Sequence, residues 1–433
     1  MSALRTNAAD QPVGPARSRF SALKYPAFRR FWLGSIASAA AFSMNQIAQG
    51  ILIFDLTGSV LNLGILGAAT AGPTILITVF GGVLADRVDR RKLLAAMQIV
   101  LAVMLGLLAT LVATGVVEIW HVYTIAVVNG LATGLDWPTR TAIFATLIED
   151  RRDMMSAVAM DTVPWQGARI IFPTFSGLLI AAFGTAIIFY IAATGFVLMF
   201  IALMTVHMPA LPQRTIRNPL REFFDGVNYI RNSRLFAVLI PLTFANMFFG
   251  MTYIHLMPAY VDDFGRGTSE IGFMLTAVGI GSFAGTFVVG RFQGATYLGW
   301  VILGACFIFS MIVLLFALAP DYFLAMGLAI IAGVFNSIFM ISTMTAMQIK
   351  VPEVLRGRVM GIYSVSFSLI PMGGLLGGAI AEFSGEFTTV TSPIRIALAT
   401  GALVLAVIVV FVAATQREIR TLNGQVLSEP SDA

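Results

Sequence analysis

Apolar segments long enough to cross a lipid bilayer recur along the whole of this chain, and no other feature constrains its fold so tightly. A spanning helix needs about 20 predominantly apolar residues. Twelve such segments can be read, at about 31–54, 62–85, 93–115, 120–147, 155–183, 185–206, 235–260, 269–291, 296–318, 322–348, 357–383 and 393–414. In hydrocarbon the backbone must satisfy its own polar groups, so segments of this length are expected to be helices, and internal Gly and Pro such as Gly72-Pro73 are tolerated. Only 11% of the residues are charged, against about 25% in an average soluble domain, which excludes a water-soluble globule and a disordered chain. The first span is too long for a cleaved signal and follows an arginine-containing polar arm. The one cysteine, Cys306, lies in an apolar run and has no partner for an intrachain disulfide. The expected fold is an all-α membrane protein with twelve transmembrane helices.

The basic residues set its orientation. With twelve spans, both termini and the even-numbered turns share one side, and 23 of the 27 lysines and arginines fall there; Arg266 and Arg395 fall opposite, and Arg140 and Arg169 within spans. Positive charge is retained on the cytoplasmic side, so both termini are predicted to be cytoplasmic. The net charge of +5 is then topological, and no nucleic-acid partner is expected.

The longest polar stretch between spans divides the chain into a cytoplasmic arm (1–30), a six-helix bundle (31–206), a linker (207–234), a second six-helix bundle (235–414) and a cytoplasmic tail (415–433). Within the linker, the segment from Pro219 to Arg231 reads as a short amphipathic helix at the membrane surface. The halves echo each other weakly, Thr141 to Gly184 running parallel to Thr345 to Gly385. Duplicated halves are common among secondary transporters.

Two motifs sharpen this. After span 2 comes Gly81-Gly82-Val83-Leu84-Ala85-Asp86-Arg87-Val88-Asp89-Arg90-Arg91-Lys92. It resembles the signature turn of the major facilitator superfamily, with Asp89 where glycine is commonest. Asp136-Trp137-Pro138-Thr139-Arg140, then Ala157 to Asp161, then Ala168-Arg169-Ile170-Ile171-Phe172-Pro173 with Gly177, resemble the enterobactin-exporter-like branch of bacterial drug–proton antiporters, as does Phe54-Asp55-Leu56-Thr57-Gly58-Ser59. Asp161 and Gln166 replace the usual asparagines, Phe172 replaces a glycine, and the second-half counterpart of the Asp-Arg turn survives only as Gly290-Arg291 and Gln293-Gly294. The resemblance implies a bacterial inner-membrane carrier that exports a drug- or siderophore-like amphiphile against protons by alternating access. It implies that Gly82, Asp86, Arg87, Arg90 and Arg91 gate the cytoplasmic ends, that Pro173 and Gly177 pack helices, and that spans 1, 4, 7 and 10 line a central cavity.

Ionisable groups inside a membrane are functional candidates because each is costly there. Asn129, Thr133, Asp136 and Arg140 form one stripe of span 4, and Asp161, Trp165 and Arg169 one stripe of span 5. Counted from the cytoplasmic ends, Asp136 and Arg169 lie about 16 and 21 Å deep, and Arg140 and Asp161 about 9–10 Å. Depth predicts the pairs Asp136–Arg169 and Arg140–Asp161. Two readings stay open: a salt-bridge lattice fixing span 4 to span 5, or a carboxylate that trades its arginine for a proton or a cationic substrate. Asp136, the deeper acid, is the first candidate for coupling, and Asp161 or Asp55 the next. Asn45 with Gln49, Asn246 with Tyr253, and Asn336 with Thr343 share stripes in spans 1, 7 and 10, as cavity residues or as helix–helix hydrogen bonds worth about 0.6 kcal/mol each.

Nothing points to an enzyme. His121, His207 and His255 have no metal spacing, there is no phosphate-binding Gly-Lys-Ser/Thr loop, and no nucleophile–base cluster. No cofactor or metal is expected; the expected partners are a small-molecule substrate, protons and lipid, with the chain a monomer. The alternatives are uptake or lipid movement on the same fold, and a non-transporting receptor or scaffold. The charge ledger is checked by labelling: cysteines placed at Ser59 and Asp263 react with an impermeant reagent from outside the cell, and one at Asn218 does not. The reverse pattern inverts the topology.

Overall fold

The computed structural model describes residues 20–87, 89–144, 146–148, 150–206, 219–292, 297–385 and 392–422. The first half is built from α1 (Pro26–Thr57), α2 (Val60–Arg87), α3 (Arg90–Ala113), α4 (Ile119–Phe144), α5 (Met154–Phe183) and α6 (Thr185–Thr205), followed by the linker helix α7 (Pro219–Asn232). The second half is built from α8 (Phe236–Ala245), α9 (Met257–Asp262), α10 (Thr268–Val289), α11 (Leu298–Ala317), α12 (Tyr322–Lys350), α13 (Glu353–Val365), α14 (Leu369–Gly385) and α15 (Pro393–Thr415), with the short α16 (Arg417–Arg420) after it. Among the described residues, 11 helical stretches are long and apolar enough to cross a membrane. The twelfth, α4, has the length at 26 residues, but His121, Asn129, Asp136 and Arg140 dilute its apolar run.

Two of the twelve spans are interrupted. The seventh passes from α8 through a π-turn at Asn246–Gly250 and a 3-10 turn at Thr252–Ile254 into α9. The eleventh passes from α13 through a 3-10 turn at Ser366–Ser368 into α14. Proline explains the position of each 3-10 turn. Pro258 cannot donate to the carbonyl four residues back, that of Ile254, nor Pro371 to that of Phe367, and the ring crowds that carbonyl as well. Within a bundle, neighbouring helices cover the backbone groups so freed.

Each half packs on itself, α1 and α3 against α6 and α2 against α4 in the first, α10 and α11 against α12 in the second. The halves meet along two seams, α2 against α14 and α5 against α10. Glycine makes the seams close. A Cβ on Gly67 would stand 2.8 Å from the Pro371 carbonyl oxygen, and one on Gly177 2.7 Å from that of Thr268. Gly378 against Val60 and Gly279 against Arg169 are equally tight. All four approaches lie between the middle of the molecule and the end opposite the termini. Towards the termini, Leu76 of α2, Val158 of α5 and Phe287 of α10 are exposed. The linker helix α7 lies on the termini side against α13, where Asp225 accepts from Arg358 at 3.2 Å.

The chain entry is clamped at that same end. Asp153, in the turn between α4 and α5, is fully buried and accepts hydrogen bonds from Lys24 and from the Tyr25 hydroxyl. Tyr25 also accepts from the Asp150 backbone N–H at 3.3 Å. Lys24, above all, holds the Asp153 carboxyl well below the usual carboxylate range. A lowered folded-state value means the stabilisation is complete above the unfolded value of about 3.9 and is lost as pH falls below it. Asp153→Asn therefore lowers the Tm of the detergent-solubilised protein at neutral pH, and its difference from wild type narrows below about pH 4. A difference that does not change with pH would show that Asp153 acts through shape alone.

Candidate transport site

The embedded charges separate into a paired set and an unpaired set. Asp136 and Arg140 lie one turn apart on α4, where i and i+4 side chains share a face. Arg140 donates through Nε to Asp136 Oδ2 at 2.9 Å and through Nη2 to Oδ1 at 3.3 Å. Its remaining arm reaches Ser35 of α1 at 3.0 Å. Gln98 of α3 donates to Asp136 Oδ1 at 2.6 Å. The guanidinium also stands 5.5 Å from the Trp165 ring of α5, which meets Phe42 of α1 edge-on at 6.0 Å. Arg140 is 1% exposed and Asp136 7%. The two charges of the cluster are matched to each other, Gln98 Oε1 is left without a hydrogen bond, and the cluster joins α1, α3, α4 and α5.

This overturns the pairing expected from depth. Asp136 does not meet Arg169, because Arg140 on its own helix already fills both carboxylate oxygens. Axial depth separated the two residues of α4 by one turn, and that is the spacing at which their side chains reach each other. Arg140 remains the electrostatic neighbour of Asp161 without a hydrogen bond to it. Among the described residues, Asp161 and Arg169 make no hydrogen bond or ion pair. Asp161 is half-buried and Arg169 exposed.

The other sequence candidates divide by helix. Asn45 and Gln49 on α1 and Asn129 on α4 are buried, and the Asn45 Oδ1, the Gln49 Nε2 and both amide atoms of Asn129 make no hydrogen bond to the protein. Thr133 is half-buried, one turn from Asn129. Asn336 and Thr343 on α12 are buried, with Asn336 Oδ1 and Thr343 Oγ1 likewise unmatched. Asn246 and Tyr253 are turned towards α11 instead: the Asn246 amide donates to Cys306 Sγ at 3.8 Å, and the Tyr253 ring lies 5.5 Å from Phe316. The two do share a face across the π-turn between them, and it is the face that packs on α11. Pro173 and Gly177 both lie on the seam with α10.

Of the signature turn, the side chains of Gly82, Asp86 and Arg87 lie outside the described residues. Asp89 is the N-cap of α3, accepting from the backbone N–H groups of Arg91 and Lys92. An N-cap acceptor gives the departure from glycine a local reason. Arg91 caps the other end of a helix, donating to the carbonyls of Leu203 and Met204 at the close of α6, where a cation is favoured. Arg90 lies beside it at the start of α3. Sequence reasoning missed Gln98 and Ser35. Gln98 was legible, as the one amide in the apolar run of span 3; Ser35 gave no signal.

Removing one partner of a buried ion pair strands the other and typically costs about 3–5 kcal/mol, whereas replacing both with apolar groups costs far less. Arg140→Leu should thus destabilise the protein more than Arg140→Leu combined with Asp136→Leu, read from unfolding in mixed detergent. Equal losses would mean the pair is not coupled in the folded state.

Comparison with known proteins agrees with this architecture. The model of a family described as transmembrane secretion effector matches residues 17–430. The enterobactin exporter EntS of Shigella flexneri is 23% identical over 412 residues, covering 94% of this chain and 96% of the exporter. The protein of the same name from Escherichia coli O1:K1 / APEC is 24% identical over 414 residues, with the same coverage. Among solved structures, the nucleoside transporter NupG superposes with a TM-score of 0.69 at 15% identity, covering 90% of this chain and 98% of that one. A bacterial homologue of the human lysosomal transporter Spinster, inward-facing and unoccupied, gives 0.70 at 15% identity, covering 93% and 97%. The structures share the fold, two six-helix bundles. The chain belongs to the transmembrane secretion effector family, enterobactin-exporter-like transporters of the major facilitator superfamily.

Proposed function

We propose that this transporter exports an amphiphilic small molecule from the cytoplasm across a bacterial inner membrane, coupled to proton entry through Asp161 and working by alternating access. Export is supported by the exporters it resembles over nearly its whole length. The close seams lie towards the end opposite the termini, which suits a state open to the cytoplasm if the termini lie there, as the charge ledger expects.

The observation that carries the proton assignment is the contrast between the two embedded acids. Asp136 accepts three hydrogen bonds and its charge is matched by Arg140. A proton added there would break a satisfied cluster. Asp161 has no such partner among the described residues and is half-buried on α5. A lone carboxylate is tolerable while water reaches it, and enclosing it is costly unless it takes a proton. Rocking of the bundles changes that enclosure, so loading at Asp161 follows the conformational cycle. Asp136 then serves as the scaffold that fixes Arg140 beside it.

The test is accumulation of amphiphilic dyes in proteoliposomes under an imposed pH gradient. Asp161→Asn is expected to retain dye binding and lose the response to the gradient, while whatever fraction of Asp136→Asn folds keeps that response. Gradient-driven accumulation that survives Asp161→Asn and disappears in Asp136→Asn would move the proton site to Asp136.

A further inference from the structure

The faces of α5 decide where Arg169 points. One side meets α1, where Ser43 donates to the Ala168 carbonyl at 3.3 Å. The opposite side meets α10, where Thr276 donates to the Ile170 carbonyl at 3.0 Å and Thr174 bonds Thr276 at 2.8 Å. Ile171 and Leu178 are exposed and apolar, as the lipid face of a spanning helix should be. At about 100° per residue, Arg169 lies about 180–200° round the helix from both. It therefore faces the space between the bundles, on the stripe of Asp161 and Trp165, and it is exposed there.

An exposed arginine at this depth, facing inward, is a cation awaiting an anion. Among the described residues none is paired with it: Asp136 is committed to Arg140, and Asp161, eight residues away, is displaced by about 12 Å along the axis. Guanidinium presents a planar fork that binds carboxylate and similar acids through two parallel hydrogen bonds. One turn away stand Trp165 and, edge-on to it, Phe42, an aromatic corner next to the charge.

We propose that Arg169 is the receptor for an acidic group on the transported molecule, and that the substrate is an anionic amphiphile whose aromatic or similarly flat body lies against Trp165 and Phe42. This rests on the transport reading above. An inside-negative membrane potential drives such an anion outward, in the direction proposed for the carrier.

Binding of three matched probes to the full-length protein in detergent, without any gradient, tests it: naphthoate, naphthylmethanol and naphthylmethylammonium. Wild type is expected to bind naphthoate at least about tenfold more tightly than the other two, the scale of a charge-assisted hydrogen bond. Arg169→Gln should abolish that preference while leaving naphthylmethanol binding in place. Arg169→Lys keeps the charge and loses the fork, so naphthoate should weaken several-fold and the neutral probe should not change; this variant decides the matter if Arg169→Gln does not fold. A preference for the cation or no preference in wild type, or naphthoate binding indifferent to either substitution, overturns the proposal. A protein that binds naphthoate through Arg169 yet moves no solute in proteoliposomes would instead overturn the transport reading and leave the receptor standing.

Discussion

The buried pair of Asp136 and Arg140 is the interaction on which the reading of the first bundle turns. Taking either charge out of water alone would cost several kcal/mol. At i and i+4 on one helix, the pair can form as soon as α4 does, before any helix–helix contact. Tertiary contacts then add Gln98 and Ser35 from two further helices, and the Trp165 ring from a third. Because the pair closes within α4, no ion pair ties α4 to α5 among the described residues. The two charges of α5 make no ion pair among the described residues, which is what the proposed roles of Asp161 and Arg169 require.

The same division between fixed and changeable appears in the packing. The seams between the halves are backbone against backbone, at glycines where any Cβ would collide. Such contacts depend on shape, carry no directional bond, and can be separated and remade by rigid movement. Within the first half the charged and polar contacts instead join helices that should move together: Arg91 to the end of α6, Asp153 to the chain entry. The α5–α10 seam adds a small hydroxyl cluster, Thr276 bonding Thr174 and the Ile170 carbonyl, while the charged contacts named here lie inside the first half.

The twelve spans, their order and the stripe of embedded charge were legible in the sequence because hydrophobic length and a period of 3.6 are set by the bilayer and the helix alone. The buried, unmatched amides of Asn45, Gln49 and Asn129 were legible for the same reason. Two things were not. Pairing depends on side-chain reach, and counting depth along the axis hid the simplest partner Asp136 had, the arginine one turn away. Which neighbour a face meets depends on tertiary packing, and the face shared by Asn246 and Tyr253 is the one against α11. Pro258 and Pro371 were visible all along, and they mark where the two 3-10 turns fall; the π-turn has no comparable signature. Asp153 gave no signal, since nothing in a sequence tells that a carboxylate is covered by Lys24 and Tyr25 from a segment about 130 residues earlier.

Asp161 and Arg169 lie on one stripe, two turns apart, and neither closes on the other. Had they stood four residues apart, they would have formed a second pair like that of α4, and the cavity wall would carry no accessible charge. Trp165 occupies that intermediate position and is itself engaged by Phe42 and Arg140. The spacing of eight keeps an acid and a base within one space yet out of contact, so each is free to be neutralised from outside the chain. In the cycle proposed above, a proton would neutralise the acid and an anion the base, and the order in which the two arrive would follow which end of the cavity is open.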